Sequence, residues 1–477
     1  MDNLITGIFI ILICIGCLVF SFRLFKKNYI KIALIFLMLN GLVLRIYVAS
    51  DHYLHPWDER YHALVAKNLI KHPLKPTLYD NPLLDYDYKN WTGNHIWLHK
   101  PPLPLMTMAL SIWLLGINEI AVRLPSVLLS TLGILIVFQI AIYFYNAKLA
   151  YMAAFLYSIH GLIIALAGGR YATDHIDIFF LFFISLAVLL LMEYIKTKNQ
   201  LFNILSGISI GLAVLSRWLP AFIVFPVWLL LMIDSGQFTP KKIMTDFAIL
   251  TFVTCLTFIP WHFYIHLNFP TEAGYERSLI HKHSTEGIEG HGRPFWFHFL
   301  FMGKIYGEVF YIPAIWFIYQ TLKKPVHLRR LALLVWFMVP FIFFSFARTK
   351  LEAYTLFAAP AIFIIISLFC VYLYRYRNRF KLRFIPLLLM SLLILLPIRY
   401  SLEKTKILQI RERNPEWAIE IKKLAPLGEA LNGKLVIFNT EHPIETMFYV
   451  DCIAYSNIPD QHVIADLEKR GYRVMIQ

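Results

Sequence analysis

Apolar runs of roughly 17–23 residues recur along this chain, each long enough to cross a bilayer as a helix. In hydrocarbon a backbone N–H or C=O finds no water, so a crossing segment must pair its polar groups within itself and become helical. The runs fall near 4–22, 30–49, 124–145, 148–167, 176–195, 201–217, 219–234, 246–266, 304–322, 330–347, 353–374 and 382–399. Composition agrees: 58% of the 477 residues are hydrophobic and mean hydropathy is +0.59, more apolar surface than a soluble domain can cover. The first run starts at residue 4 without a basic leader or small-residue cleavage site, so it reads as a retained span and not a signal peptide. The expectation is an all-α polytopic membrane domain over 1–400, with about 12 transmembrane helices plus interfacial ones.

The net charge of +15 would point a soluble chain toward nucleic acid. Here much of it sits in short loops, the signature of cytoplasmic loops facing anionic lipid, so membrane lipids are expected partners and nucleic acid is not. The basic loops hold Arg23, Lys26, Lys27 and Lys31; Lys196 and Lys198; Lys241 and Lys242; Lys323, Lys324, Arg329 and Arg330; and Arg375 to Arg383. All fall on one side only if the apolar piece 104–117 is not a crossing, so it is expected to lie along the membrane face or re-enter. Loops 50–123, 168–175, 267–303 and 348–352, with both termini, then lie outside. That gathers Asp58, Glu59, Lys100, Asp174, Arg293 and Lys350 on one extracytoplasmic face of the inner membrane. Four cysteines (14, 17, 255 and 370) lie in spans and only Cys452 in a polar segment, so no disulfide framework is indicated. The polar tail, 401–477, alternates helical and strand patterns and reads as a small α/β extracytoplasmic domain.

Several outer-face constellations admit two readings. Trp57-Asp58-Glu59-Arg60-Tyr61 is either an interfacial helix start with aromatic-belt residues or a general base, Asp58, supported or replaced by Glu59. A carboxylate near a low-dielectric face is expected to gain proton affinity, which suits a base. His99-Lys100-Pro101-Pro102-Leu103-Pro104 is either a stiff entry to an apolar segment with a snorkelling lysine or a rigid mount aiming Lys100 at a phosphate. Arg123 can pair with Glu119 at i, i+4 or serve the site. In 168–177, Thr173 or Asp174 caps the next helix, or Arg170, Asp174 and their neighbours belong to a site. Arg217, between two apolar runs, needs an anion, and a phosphate answers that need. The loop 267–303 is rich in histidine, but His281, His283 and His291 fit no standard zinc spacing. Lys350 and Glu352 form either a surface pair or part of the site. No Walker loop, dinucleotide fingerprint or protein-kinase motif occurs.

Taken in order, Asp58-Glu59-Arg60-Tyr61, Lys100-Pro-Pro-Leu103, Arg123-Leu-Pro-Ser126, Asp174 before Ile176-Asp-Ile-Phe-Phe180, Pro260-Trp261, and Arg348-Thr-Lys350 with Tyr354 resemble bacterial glycosyltransferases of the GT-C fold. The nearest groups are the aminoarabinose transferases that modify lipid A and the protein O-mannosyltransferases; the match covers roughly residues 30–365. The resemblance implies a polyprenyl-phosphate sugar donor, a lipid, glycan or protein acceptor, inversion at the anomeric carbon and no cofactor. It implies Asp58 and Glu59 as the catalytic acids, and Arg60, Lys100, Arg123, Arg170, Asp174, Arg217, Arg293, Lys350 and Tyr354 as donor-phosphate and substrate-binding residues, with no metal. Two positions depart from the family: Arg217-Trp218 stands where Lys-Gly is frequent, and His99 where an acid often precedes Lys-Pro-Pro. The rival reading is a transporter or flippase, which requires a site near the bilayer midplane and two similar halves; a third is a receptor or scaffold.

Overall fold

The structure is a computed structural model that describes residues 2–477. Helices α1 (Asp2–Lys26) and α2 (Ile30–Ala49) form an antiparallel pair. The outer segment that follows carries α3 (Asp58–Lys71) and α4 (Pro102–Leu115). The bundle continues with α5 (Glu119–Phe144), α6 (Ala147–Ser158), α7 (Gly161–Ala167), α8 (Asp174–Thr197) and α9 (Gln200–Arg217). Asn118, Asn146 and Asn199 begin α5, α6 and α9, each accepting a hydrogen bond from a first-turn N–H. After a 3-10 turn at Leu219–Ile223 come α10 (Val224–Ser235), α11 (Pro240–Asn268), α12 (Pro270–Thr285) and α13 (Phe297–Tyr306). The bundle closes with α14 (Tyr311–Leu322), α15 (Leu328–Phe346), α16 (Ala359–Tyr376) and α17 (Phe384–Thr405).

Among the described residues nine helices are long and apolar enough to cross a membrane, or ten if α6 and α7, bent by 50°, form one span. Each expected apolar run is helical, but not every run is one straight crossing. The run at 219–234 is a 3-10 turn joined to α10, and the run at 304–322 is split among α13, a 3-10 turn at Glu308–Phe310 and α14. Gly307, with φ +97°, makes that second break. Helix α4 has 14 residues, about 21 Å at the helical rise, too short to span a core of about 30 Å. One face of it packs on α3 and α5 through Leu105, Met108 and Ile112, while Trp113, Leu114 and Leu115 stay exposed.

The tail adds α18 (Glu416–Lys423), α19 (Ala425–Ala430), β1 (Leu435–Phe438), α20 (Pro443–Tyr449), β2 (Ile453–Ala454), α21 (Gln461–Lys469) and β3 (Arg473–Ile476). The three strands are parallel in the order β2-β1-β3, with Val436 opposite Ile453 and Val474. The four residues of β1 are all buried, as a central parallel strand covered on both faces requires. This sheet shares a core with α3 and α4: Ile437, Met447 and Phe448 cluster with Leu64, Leu69 and Trp97. Lys67 of α3 donates to the carbonyls of Met447 and Phe448 at the end of α20, at 2.6 and 3.0 Å, as a cation at a helix C-terminus should. The tail is therefore seated on the helix that begins with Asp58.

Candidate active site

Asp58 opens α3, and its Oδ2 lies 3.2 Å from Lys100 Nζ. Lys100 reaches it because Pro101 and Pro102 hold the chain extended and then start α4. The Thr173 N–H donates to the same Oδ2 at 3.0 Å. From the far wall, Arg217 at the end of α9 stacks its guanidinium 4.3 Å over the Tyr354 ring and contacts Asp177 in the first turn of α8. Five chain segments distant in sequence thus converge where helices end. Trp57 (φ 78°), Thr173 (φ 71°), Asp174 (φ 24°) and Trp218 (φ 83°) border this place, four of the ten left-handed non-glycine residues among those described. Backbone strain of that kind costs about 1–3 kcal/mol per residue and concentrates at functional sites.

The electrostatics differ from expectation in one respect. Burial alone would raise the Asp58 carboxyl, but Lys100, His62 and His99, with the Thr173 N–H, outweigh it and hold the group well below the usual carboxylate range. The expected gain in proton affinity is absent because a lysine neutralises the site. Lys100 is raised in turn: burial opposes its charge, and Asp58 more than compensates.

Glu59 does not share this cluster. It is fully buried, and its carboxylate takes Arg123 Nε at 2.6 Å and Arg123 Nη2 at 2.9 Å. It also accepts the His55 N–H at 2.6 Å. Beside it, Asp51 pairs with Arg170 at 2.8 Å, Arg411 at 2.8 Å and Arg413 at 3.0 Å, and His55 bridges the two acids. This second cluster fastens the end of α2, the 168–173 turn and the tail to one another. Gly169 (φ +72°) belongs to it, because a Cβ there would run into the Glu59 carboxylate. Arg123 turns to Glu59 and not to Glu119, which instead holds Lys422 and Tyr449 of the tail.

The remaining sequence candidates divide. Arg60 pairs with Glu445 of the tail at 3.3 Å. Asp174 is buried against His62 Nδ1 at 2.9 Å, and Thr173, although it precedes α8, makes no side-chain cap and turns its hydroxyl to Asp177. Lys350, nearly fully buried, donates to the carbonyls of Ala347 and Arg293, so Glu352 pairs with Lys404 instead. The Arg293 side chain is exposed, and its backbone is zipped to Arg348 by an N–H to O bond of 3.3 Å. His298 lies between these walls: burial, then the charges of Lys350 and Arg217, push its imidazole down to about 3. His99, at the departing position, stacks on Trp91 at 4.6 Å and faces Glu276 at 3.5 Å. No cluster of three His, Cys, Asp or Glu able to hold a metal occurs among the described residues.

Sequence reasoning included Asp177 only among the ionisable groups of 168–177, without a role of its own, and singled out neither His62 nor the Asp51, Arg411 and Arg413 partners. Asp177 carried a signal, since a second acid in the first turn of a membrane helix needs a partner. The tail arginines carried none, because their partner lies some 360 residues away.

The fold is of the GT-C type. The structure superimposes on ArnT from Cupriavidus metallidurans bound to undecaprenyl phosphate with a TM-score of 0.62, at 13% identity, covering 91% of this chain and 87% of that one. It also matches the archaeal oligosaccharyltransferase AglB from Archaeoglobus fulgidus, in complex with an inhibitory peptide and a dolichol-phosphate, with a TM-score of 0.60 at 14% identity over 91% of this chain and 65% of the other.

Residues 99–262 match the family model described as dolichyl-phosphate-mannose-protein mannosyltransferase. Among curated relatives, the undecaprenyl phosphate-alpha-4-amino-4-deoxy-L-arabinose arabinosyl transferase of Pseudomonas aeruginosa is 24% identical over 282 residues, 56% of this chain and 49% of the relative. The chain spans about half the length of that relative. The resemblance read from the ordered motifs therefore holds: this is a multi-pass membrane protein of GT-C fold, similar to aminoarabinose transferases.

Proposed function

We propose that the protein is an inverting glycosyltransferase that moves a sugar from a polyprenyl phosphate to a lipid, glycan or protein acceptor at the outer face of the inner membrane. The observation that carries the reading is the Asp58–Lys100 pair at 3.2 Å, set beside Arg217 on Tyr354. It joins one acid to two cations where helices end. The helix order supports the outer-face placement, since the Lys/Arg-rich connections after α1, α8, α10, α14 and α16 join helices at the opposite end. A site at helix ends also favours a transferase over a carrier, whose site belongs near the midplane.

In this mechanism the donor phosphate lies against Lys100 and Arg217. As the phosphate draws Lys100 away, Asp58 loses the charge that suppresses its basicity, so the base is activated only with donor in place. Asp58 then takes the acceptor proton, and the acceptor oxygen forms its bond to the anomeric carbon from the face opposite the phosphate. The carbon–oxygen bond to phosphate breaks, its electron pair leaving on polyprenyl phosphate. Fixed cations aimed at that oxygen stabilise the transition state by about 3–4 kcal/mol each.

The test is incubation of purified protein with radiolabelled polyprenyl-phosphate sugar and a membrane extract as acceptor. Release of polyprenyl phosphate with label moved to acceptor supports the reading. Movement of intact donor across a vesicle, without release, rejects it for the transporter.

A further inference from the structure

Thr173 touches both halves of the candidate site. Its N–H donates to Asp58 Oδ2 at 3.0 Å, and its hydroxyl donates to Asp177 Oδ2. The other carboxylate oxygen of Asp177 meets Arg217, whose guanidinium carbon lies 4.3 Å from the centre of the Tyr354 ring. Thr173 and Asp177 are 6% and 3% exposed, so water does not compete for these bonds. The guanidinium thus has two neighbours, a carboxylate and a ring, that restrict it, and an arginine must be oriented to present paired N–H groups to a phosphate. The alternative is that Asp177 is merely an acid in the first turn of α8, favourable to the helix dipole and nothing more. That alternative leaves unexplained why Thr173 holds a left-handed φ of 71° and spends its hydroxyl on Asp177 instead of capping the helix.

We propose that Thr173 and Asp177 form a positioning clip that orients Arg217 toward the donor phosphate and ties that cation to the base Asp58. Neither clip residue reacts; both act through Arg217 and Asp58. The inference rests on the function proposed above and adds to it how the phosphate-facing cation is aligned with the base.

The experiment measures binding of polyprenyl phosphate, and of uncharged polyprenol as control, to the full chain in nanodiscs, together with donor KM and kcat. The variants are Asp177→Ala, Asp177→Asn, Thr173→Val and the Thr173→Val/Asp177→Ala double. Asp177→Ala is expected to weaken polyprenyl phosphate binding roughly ten- to a hundredfold, the effect of freeing the cation from its buried ion-pair partner, and to leave polyprenol binding unchanged. Asp177→Asn keeps the shape and leaves a carbonyl oxygen facing Arg217, and is expected to recover most of the loss. The double variant is expected to be no worse than Asp177→Ala, because both changes break one chain of contacts.

Unchanged phosphate binding in Asp177→Ala, an equal loss of polyprenol binding, or additive losses in the double variant overturns the clip. If Asp177→Ala does not fold, Thr173→Val decides: severalfold weaker phosphate binding supports the clip and unchanged binding overturns it. A wild-type protein that binds polyprenyl phosphate no better than polyprenol removes the proposed function and the clip with it. Tight wild-type binding that the variants retain removes the clip alone.

Discussion

Asp58 and Glu59 share a peptide bond but no partner: Asp58 pairs with Lys100 at 3.2 Å, whereas Glu59 is clasped by Arg123 at 2.6 Å. Adjacent helical positions point about 100° apart, so one acid turns to Lys100 while its neighbour enters the protein. The two should fail differently. Asp58→Asn is expected to fold normally and to lose about 10²–10⁴ in kcat. Glu59→Gln leaves Arg123 buried without a counter-charge and should lose about 3–5 kcal/mol of stability. Thermal unfolding and turnover measured on both variants check this; equal unfolding temperatures for the two would refute the division.

Lys100 sets the basicity of Asp58. With its charge removed, burial is left to act on the carboxyl and raises its pKa. In Lys100→Ala the acid limb of the kcat/KM profile should therefore move to higher pH, while Lys100→Arg keeps it low. A pH–rate profile of the three proteins is the measurement, and coincident acid limbs would show that another group is the base.

Asp51 holds the tail to the membrane helices through Arg411 and Arg413. Burial alone would raise its carboxyl, and His55 with the surrounding arginines holds it well below the usual range instead. Asp51→Ala strands three arginines and is expected to loosen residues 406–477, seen as faster proteolysis of the tail and a loss of about 3–5 kcal/mol. A variant with the protease resistance of wild type would mean that the shared core of α3, α4 and the sheet suffices by itself.

His298 makes stability depend on pH. Its folded pKa of about 3 lies below the ordinary 6.5, so between these values the unfolded chain binds a proton that the folded protein excludes. Stability therefore rises with pH through this window and is lost as pH falls below about 6.5. His298→Gln should flatten the unfolding temperature between pH 6.5 and 4 relative to wild type. Parallel curves would place the acid sensitivity elsewhere.

The membrane helices were legible because hydrocarbon permits so few structures that apolar length nearly determines the element. The basic loops kept 104–117 out of the crossings, and α4 is indeed too short to be one. The breaks in the later bundle were not legible, since a composition window averages over the turn at Gly307. In the candidate site, Asp58, Lys100 and Arg217 drew notice because charge near a bilayer demands a reason, and Tyr354 through the family resemblance. Glu59, Arg123 and Arg170 satisfied the same rule, yet the structure gives them to a separate ion network. Charge in a sequence announces that a partner is needed, not which one. Long-range partners such as Arg411 on Asp51 follow only from the tertiary fold.

The position of the donor phosphate decides the mechanism, and a structure of the protein with polyprenyl phosphate bound measures it directly. The phosphate is expected within hydrogen-bonding distance of Lys100 Nζ and the Arg217 guanidinium, about 2.7–3.2 Å, with the Asp58–Lys100 contact opened. A phosphate bound away from both cations, with that contact intact, would contradict the account.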